Sequence, residues 1–348
     1  MLVAERLESI LSTLPRLTIG LVGDLFLDRY LDLVPGSSEL SLETGLEAYQ
    51  VARVRNVPGA LGTVMNNLAA LGVGLLVPVS VIGDDGHGFD LLREVRRLPV
   101  DLANLMCASD RLTPTYTKPM RSQSPGDRPM CELNRLDVRT RVPLSSEITA
   151  EVCRRVEDVF NTSDGLIVLD QVMDEDCGVI NACVRKTLER LARAKPGRLM
   201  FVDSRRFLHR FTAATLKGNR AEVLSAGDQK KVSEAADSDS AVRNALATLS
   251  RTTSRPAFCT LGERGILVAR PGEQSTLVPG YPSTGPTDIV GAGDAATSGI
   301  VTALLAGASE LEAAALGNVV ASITVEQLGV TGTATPQQVV ARWQVNHH

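Results

Sequence analysis

The chain has 348 residues, 44% of them apolar, which is enough for a large core. Its 36 basic and 40 acidic residues leave a formal charge of −4, which argues against a nucleic-acid partner, where a basic excess is expected. No run of 18 apolar residues marks a membrane span, and six scattered cysteines without a CxxC pair predict free thiols in a reducing cytoplasm, not a zinc site.

The first seventeen residues carry acidic side chains and read as a short amphipathic helix, not a signal peptide. A β-branched strand follows at 17–22 and ends at Gly23-Asp24. Residues 30–57 are mixed, with alternation near 49–57. A small-residue turn, Pro58-Gly59-Ala60, leads to an apolar-periodic helix at 64–71 and a buried strand at 75–82. Residues 111–137 read as short β segments around a polar turn at 122–128. The remainder alternates: helix 146–160, strand 165–169, helix 176–194, strand 199–202, a short strand near 222–224 and helix 229–250. Strands 257–261 and 265–269 come next, then helices from 292 and from 309. Such alternation predicts a mostly parallel sheet covered by helices on both faces, in one domain spanning 1–348. Ligands bind beyond the carboxyl ends of such strands, where Gly23-Asp24, Asp170 and Asp203 fall. The patches 30–57 and 111–137 do not fit the alternation and predict a small appended sheet. Apart from the terminal pair, His87 and His209 are the only histidines, too few for a histidine-based centre.

Residues 285–299, GPTDIVGAGDAATSG, carry the strongest chemical signal. A small-residue turn opening a helix offers unpaired N–H donors and the positive end of the helix dipole, a natural phosphate site. Asp294 there has two readings: a general base towards a hydroxyl attacking the phosphoryl group, or an ordinary helix cap.

Together these pieces resemble the ribokinase-like (PfkB) carbohydrate kinases over about residues 17–340. That resemblance implies a three-layer α/β sandwich with a small β lid, using ATP and Mg2+, with K+ as a further expected ion. It also implies that Gly291, Ala292 and Gly293 form the anion hole and that Asp294 is the base. Asn219 and Glu222 would order magnesium through water, and Thr260, Gly262 and Gly265 would approach the nucleotide. Asn318 would lie near the adenine, and Asp288 would help hold the monovalent cation. Taken alone, Asn219 and Glu222 are equally a solvated pair, and 260–265 a hairpin turn.

On the acceptor side the run Gly23 to Tyr30, GDLFLDRY, resembles the heptose-phosphate kinases of this family, as do Pro114–Lys118 and Arg135-Leu136-Asp137. The resemblance implies that Asp24, Asp28, Gly59, Thr63 and Asp170 meet the sugar. Lys118 and Arg121 would meet a phosphate already on it, or else face solvent. Asn67 matches a further family position. Departures are concentrated here: Ala60 replaces a second glycine, Thr63 an asparagine, Gln171 a tyrosine, and Ser204-Arg205 a Pro-Lys pair. Ile289-Val290 also stands where a threonine is usual. The implied function is ATP-dependent phosphorylation of a hydroxyl on a sugar or sugar phosphate. A nucleoside kinase of the same fold and a non-catalytic sugar binder are the alternatives. Two copies pairing through the lid's open edge are a further expectation.

Overall fold

The computed structural model describes residues 2–36, 39–122, 131–227, 238–283 and 285–345. Among them a nine-stranded sheet runs in the order Leu105–Ala108, Leu75–Gly83, Thr18–Gly23, Gly165–Asp170, Leu199–Ser204, Thr215–Asn219, Ala257–Thr260, Gly265–Ala269, Thr276–Pro279. Neighbours are parallel from Leu105–Ala108 through Ala257–Thr260, and the last two pairings are antiparallel. Strand order reverses beside Thr18–Gly23, which pairs with Leu75–Gly83 on one side and Gly165–Asp170 on the other. A crevice opens outside the carboxyl ends at such a switch point.

The strands alternate their side chains between two cores, as the two-residue period requires. Ile19, Leu21, Ile167, Leu169 and Phe201 join one core with helices Leu61–Ala70, Ala292–Leu305 and Glu310–Thr324. Val22, Leu166, Val168, Met200 and Val202 join the other with helices Ser146–Thr162, Ala182–Ala194 and Asp239–Thr253.

A second sheet has the order Leu136–Val138, Thr115–Arg121, Leu25–Leu33, Val51–Ala60, with Cys131–Glu132 paired to Thr115–Arg121. Residues 30–57 are therefore parts of two long strands with a small hairpin, Glu39–Leu40 and Glu47–Ala48, between them. Most of the expected polar turn, 123–128, lies outside the described residues.

Three expected boundaries are corrected. No strand forms at 222–224: the strand is Thr215–Asn219 and Arg220–Gly227 is helical. The reason is a reciprocal cap in which Asn219 N–H donates to Glu222 Oε2 (2.7 Å) and Glu222 N–H donates to Asn219 Oδ1 (3.0 Å). The helix expected from 176 starts at Ala182, because the Asn181 side chain accepts from Cys183 and Val184 N–H. The helix expected at 229–250 is Asp239–Thr253, capped by Ser238, while 229–237 lie outside the described residues. Gly86–Val95, for which no element was expected, is a helix capped by Asp85.

Candidate active site

Helix Ala292–Leu305 starts from Gly291, whose φ of +81° is a left-handed conformation that glycine adopts without strain. A Cβ on Gly291 would also lie 2.7 Å from Thr331 Cγ2. The turn is thus closed on that side by Thr331, and within it the Ala292 N–H donates to Ile289 O at 3.2 Å. Beneath the next glycine lies a cation: a Cβ on Gly293 would sit 3.1 Å from Lys217 Nζ.

Lys217 Nζ donates to Asp203 Oδ2 at 2.6 Å, and both side chains are almost fully buried. Thr297 Oγ1 donates to the same oxygen at 3.3 Å. Asp294 is half-buried on the first turn of the helix. Desolvation, and then the Asp203 carboxylate, push it up to about 7 against the pull of Lys217 and Arg205. Glu222 is raised for the same two reasons, burial and Asp203.

Two clefts meet at this turn. The larger, about 610 Å³, is lined by Asn219, Glu222, Thr260, Gly262, Gly265, Gly293, Asn318 and Lys217, among others. The smaller, about 300 Å³, lies between the two sheets and is lined by Asp28, Thr63, Tyr116, Lys118, Arg135, Arg139 and Thr331, among others. Gln171, Arg205, Val290, Gly291 and Asp294 line both. In the larger cleft Asn318 Nδ2 donates to the carbonyls of Val278 and Pro279, 3.0 Å each, and so braces one wall.

In the smaller cleft Asp28 pairs with Lys118 at 2.9 Å, and Lys118 Nζ also donates to Tyr30 OH at 3.3 Å. Gly59 leaves room for this carboxylate, since a Cβ there would lie 2.6 Å from Asp28 Oδ2. Thr63 is buried beside the turn, its Cγ2 3.4 Å from where a Gly291 Cβ would be. Asn67 is enclosed one helical turn on and donates to Thr63 O at 2.9 Å.

Gly59 itself lines neither cleft, and four other expected site residues stand apart from them as well. Asp24 lies behind the wall of the smaller cleft, where its Oδ1 accepts from Val179 N–H at 2.8 Å and burial pushes it up to about 6. Asp170 is beside it, raised to about 7 mainly by burial, with Ser204 Oγ donating at 2.9 Å. Arg121 is at the far end of its strand, paired with Glu47 at 3.0 Å and over the Tyr49 ring. Asp288 staples its loop by accepting from Val290 N–H (3.1 Å) and Gly329 N–H (3.2 Å). In place of Arg121 the cleft holds Arg135 and Arg139, which share Asp137 (2.6 and 3.0 Å). Arg139 repeats the Arg135–Asp137 spacing, and two-residue steps keep a strand's side chains on one face. Lys217 and Thr331 carry no motif and are not legible from sequence.

A family model described as pfkB family carbohydrate kinase matches residues 201–338. "Bifunctional protein HldE" of Pelobacter propionicus is 30% identical over 340 residues, which cover 97% of this chain and 65% of that protein. The protein of the same name from Caulobacter sp. (strain K31) is 31% identical over 348 residues, again covering 65% of that relative. The chain thus spans 65% of the length of these two relatives. Among solved structures, Arabidopsis thaliana ribokinase complexed with ribose and ATP aligns with a TM-score of 0.66 at 17% identity, covering 94% of this chain and 98% of that one. Phosphofructokinase-2 from Escherichia coli in complex with substrates and products aligns at 0.68 and 17%, covering 94% and 99%. The large, mostly parallel sheet with its covering helices is the ribokinase-like α/β fold. By sequence, the chain is similar to the pfkB family of carbohydrate kinases, whose model matches it over residues 201–338.

Proposed function

We infer that this protein transfers the γ-phosphoryl group of ATP to a hydroxyl of a sugar or sugar phosphate, with a heptose-phosphate-like acceptor favoured. One observation carries the reading: Asp294 stands on the first turn of a helix and lines both clefts. An acceptor in the small cleft and a triphosphate in the large one would meet at this carboxylate. A base near pH 7 is matched to taking the hydroxyl proton as the oxygen attacks. The amides of Gly291 and Gly293, the helix dipole and the Lys217 ammonium would supply the positive field for the transferring group, with the Ala292 N–H joining them on release from Ile289 O.

The donor set suits Mg2+. Glu222 and Asp203 are hard oxygen donors close enough to raise Glu222. Among the described residues no cluster of three or more metal-ligating side chains exists, so water and phosphate would have to supply most of the ligands. When bound, the ion neutralises triphosphate charge. We assign Asn219, Glu222, Thr260, Gly262, Gly265 and Asn318 to the nucleotide, and Asp28 and Thr63 to sugar hydroxyls. Asp288 is assigned to a K+ site by family resemblance. Lys118, Arg135 and Arg139 carry three positive charges against Asp28 and Asp137, which favours an acceptor that brings an anionic group of its own.

Among the described residues no helix is long and apolar enough to cross a membrane. We place the reaction in the cytoplasm, where ATP is available. Strand Val51–Ala60 is the open edge of the small sheet and exposes Val51 and Val54, which favours pairing of two copies there. An ADP-release panel with heptose phosphates, hexoses and adenosine tests the reading. Turnover with adenosine alone would make this a nucleoside kinase. Sugar-dependent thermal stabilisation without ADP from any candidate would make it a binder.

A further inference from the structure

Arg205 follows the strand Leu199–Ser204, and its N–H donates to Asp170 O at 3.1 Å, so its backbone is pinned to the neighbouring strand end. Its side chain is exposed and lines both clefts. Its Nε donates to the neutral Gln171 Oε1 at 2.6 Å. The other cations around the turn are each held by a carboxylate: Lys217 by Asp203, Lys118 by Asp28, and Arg135 and Arg139 by the one Asp137 they share. Among the described residues Arg205 has no carboxylate within ion-pair distance. A guanidinium parked on an amide gives up little when it moves to a phosphate, which it grips with a planar fork of donors.

We propose that Arg205 is a catalytic residue that swings from Gln171 onto the phosphoryl group in flight, opposite the amides of Gly291–Gly293. The proposal rests on the kinase reading above. In the step, the acceptor hydroxyl oxygen forms a bond to the γ-phosphorus as the bond to the β–γ bridging oxygen breaks. That electron pair stays on ADP, and the hydroxyl proton goes to Asp294. Negative charge spreads over the three equatorial oxygens, and a cation that reaches them only then lowers the energy of that arrangement and not of bound ATP.

The test needs no known acceptor, because water can stand in its place. Binding of MgADP is measured by calorimetry with and without fluoroaluminate, a mimic of the planar phosphoryl group, in wild type, Arg205→Ala and Arg205→Lys. The expected result is that fluoroaluminate tightens MgADP binding in wild type, that Arg205→Ala keeps MgADP affinity but loses the tightening, and that Arg205→Lys keeps part of it. With an acceptor from the panel, Arg205→Ala lowers kcat roughly a thousandfold with KM for ATP unchanged. Full tightening in Arg205→Ala, or an equal loss of affinity for MgADP alone, overturns the proposal. So does an absence of tightening in wild type that still binds MgADP. Failure of the wild type to bind MgADP at all sinks the kinase reading instead, and this inference with it.

Discussion

Lys217 and Asp203 form an ion pair of 2.6 Å, with the ammonium directly beneath Gly293. A buried pair of this kind is weak evidence for stability, but removing one partner strands the other. Lys217→Met is therefore expected to lower folding stability by about 3–5 kcal/mol in urea titration. It should also raise the Asp294 pKa further, because Lys217 pulls that pKa down. The double variant Lys217→Met/Asp203→Leu should recover much of the lost stability without recovering turnover. A single variant as stable as wild type would contradict the burial argument.

Asp294→Asn should lower kcat by on the order of 10²–10⁴ with MgATP binding retained. As a base, Asp294 must be ionised, so kcat/KM is expected to rise with pH and level off above about 7. A wild-type pH profile flat from 5 to 8, or an active Asn variant, would remove Asp294 from the chemistry.

Stability should follow the opposite trend. Asp24, Asp170 and Asp294 have folded-state values of about 6, 7 and 7, all above the carboxylate value of 3.8. Each raised value means that the folded state holds its proton longer than the unfolded chain does. The stability this contributes is complete below about pH 4 and is lost as pH rises to about 7. Asp170→Asn, which cannot ionise, should flatten that fall in chemical denaturation measured across pH 5–8 and be more stable than wild type at pH 8. A variant with an unchanged slope would show that Asp170 does not titrate there.

Gly291→Ala combines a left-handed φ with a methyl 2.7 Å from Thr331 Cγ2. The backbone strain costs about 1–3 kcal/mol, and the displaced turn should abolish activity. Adding Thr331→Ser removes the Cγ2 clash but not the strain, so melting temperature should recover in part. Full recovery would mean that the φ carries no penalty.

Arg139→Ala should raise KM for a phosphorylated acceptor and leave KM for an unphosphorylated one unchanged, whereas Arg121→Ala should leave both unchanged. The contrast follows from position: Arg139 lines the acceptor cleft and Arg121 pairs with Glu47 at the far end of the same sheet. Equal effects from the two variants would count against this assignment of the anionic group.

Much of the architecture was legible because its signals are local. The β-branched runs at 17–22, 165–169 and 265–269 form strands, and the GAGD turn opens a helix. Boundaries failed where a single side-chain cap decided them, as at Asn181 and at Asn219 with Glu222. The hairpin-like reading of 260–265 was also sound, with two antiparallel strands joined by a one-turn helix at Gly262–Arg264.

The sequence by itself determined the small-residue turn that opens a helix and the resemblance to sugar kinases, because these depend on residues adjacent in the chain. Only the tertiary structure decided that Lys217 lies under the turn, that Arg139 and not Arg121 lines the smaller cleft, and that Asp24 and Asp170 sit behind its wall. Such placements depend on which strand ends converge and on which way each side chain leaves its sheet. Long-range pairing fixes both, and no short stretch of sequence encodes it.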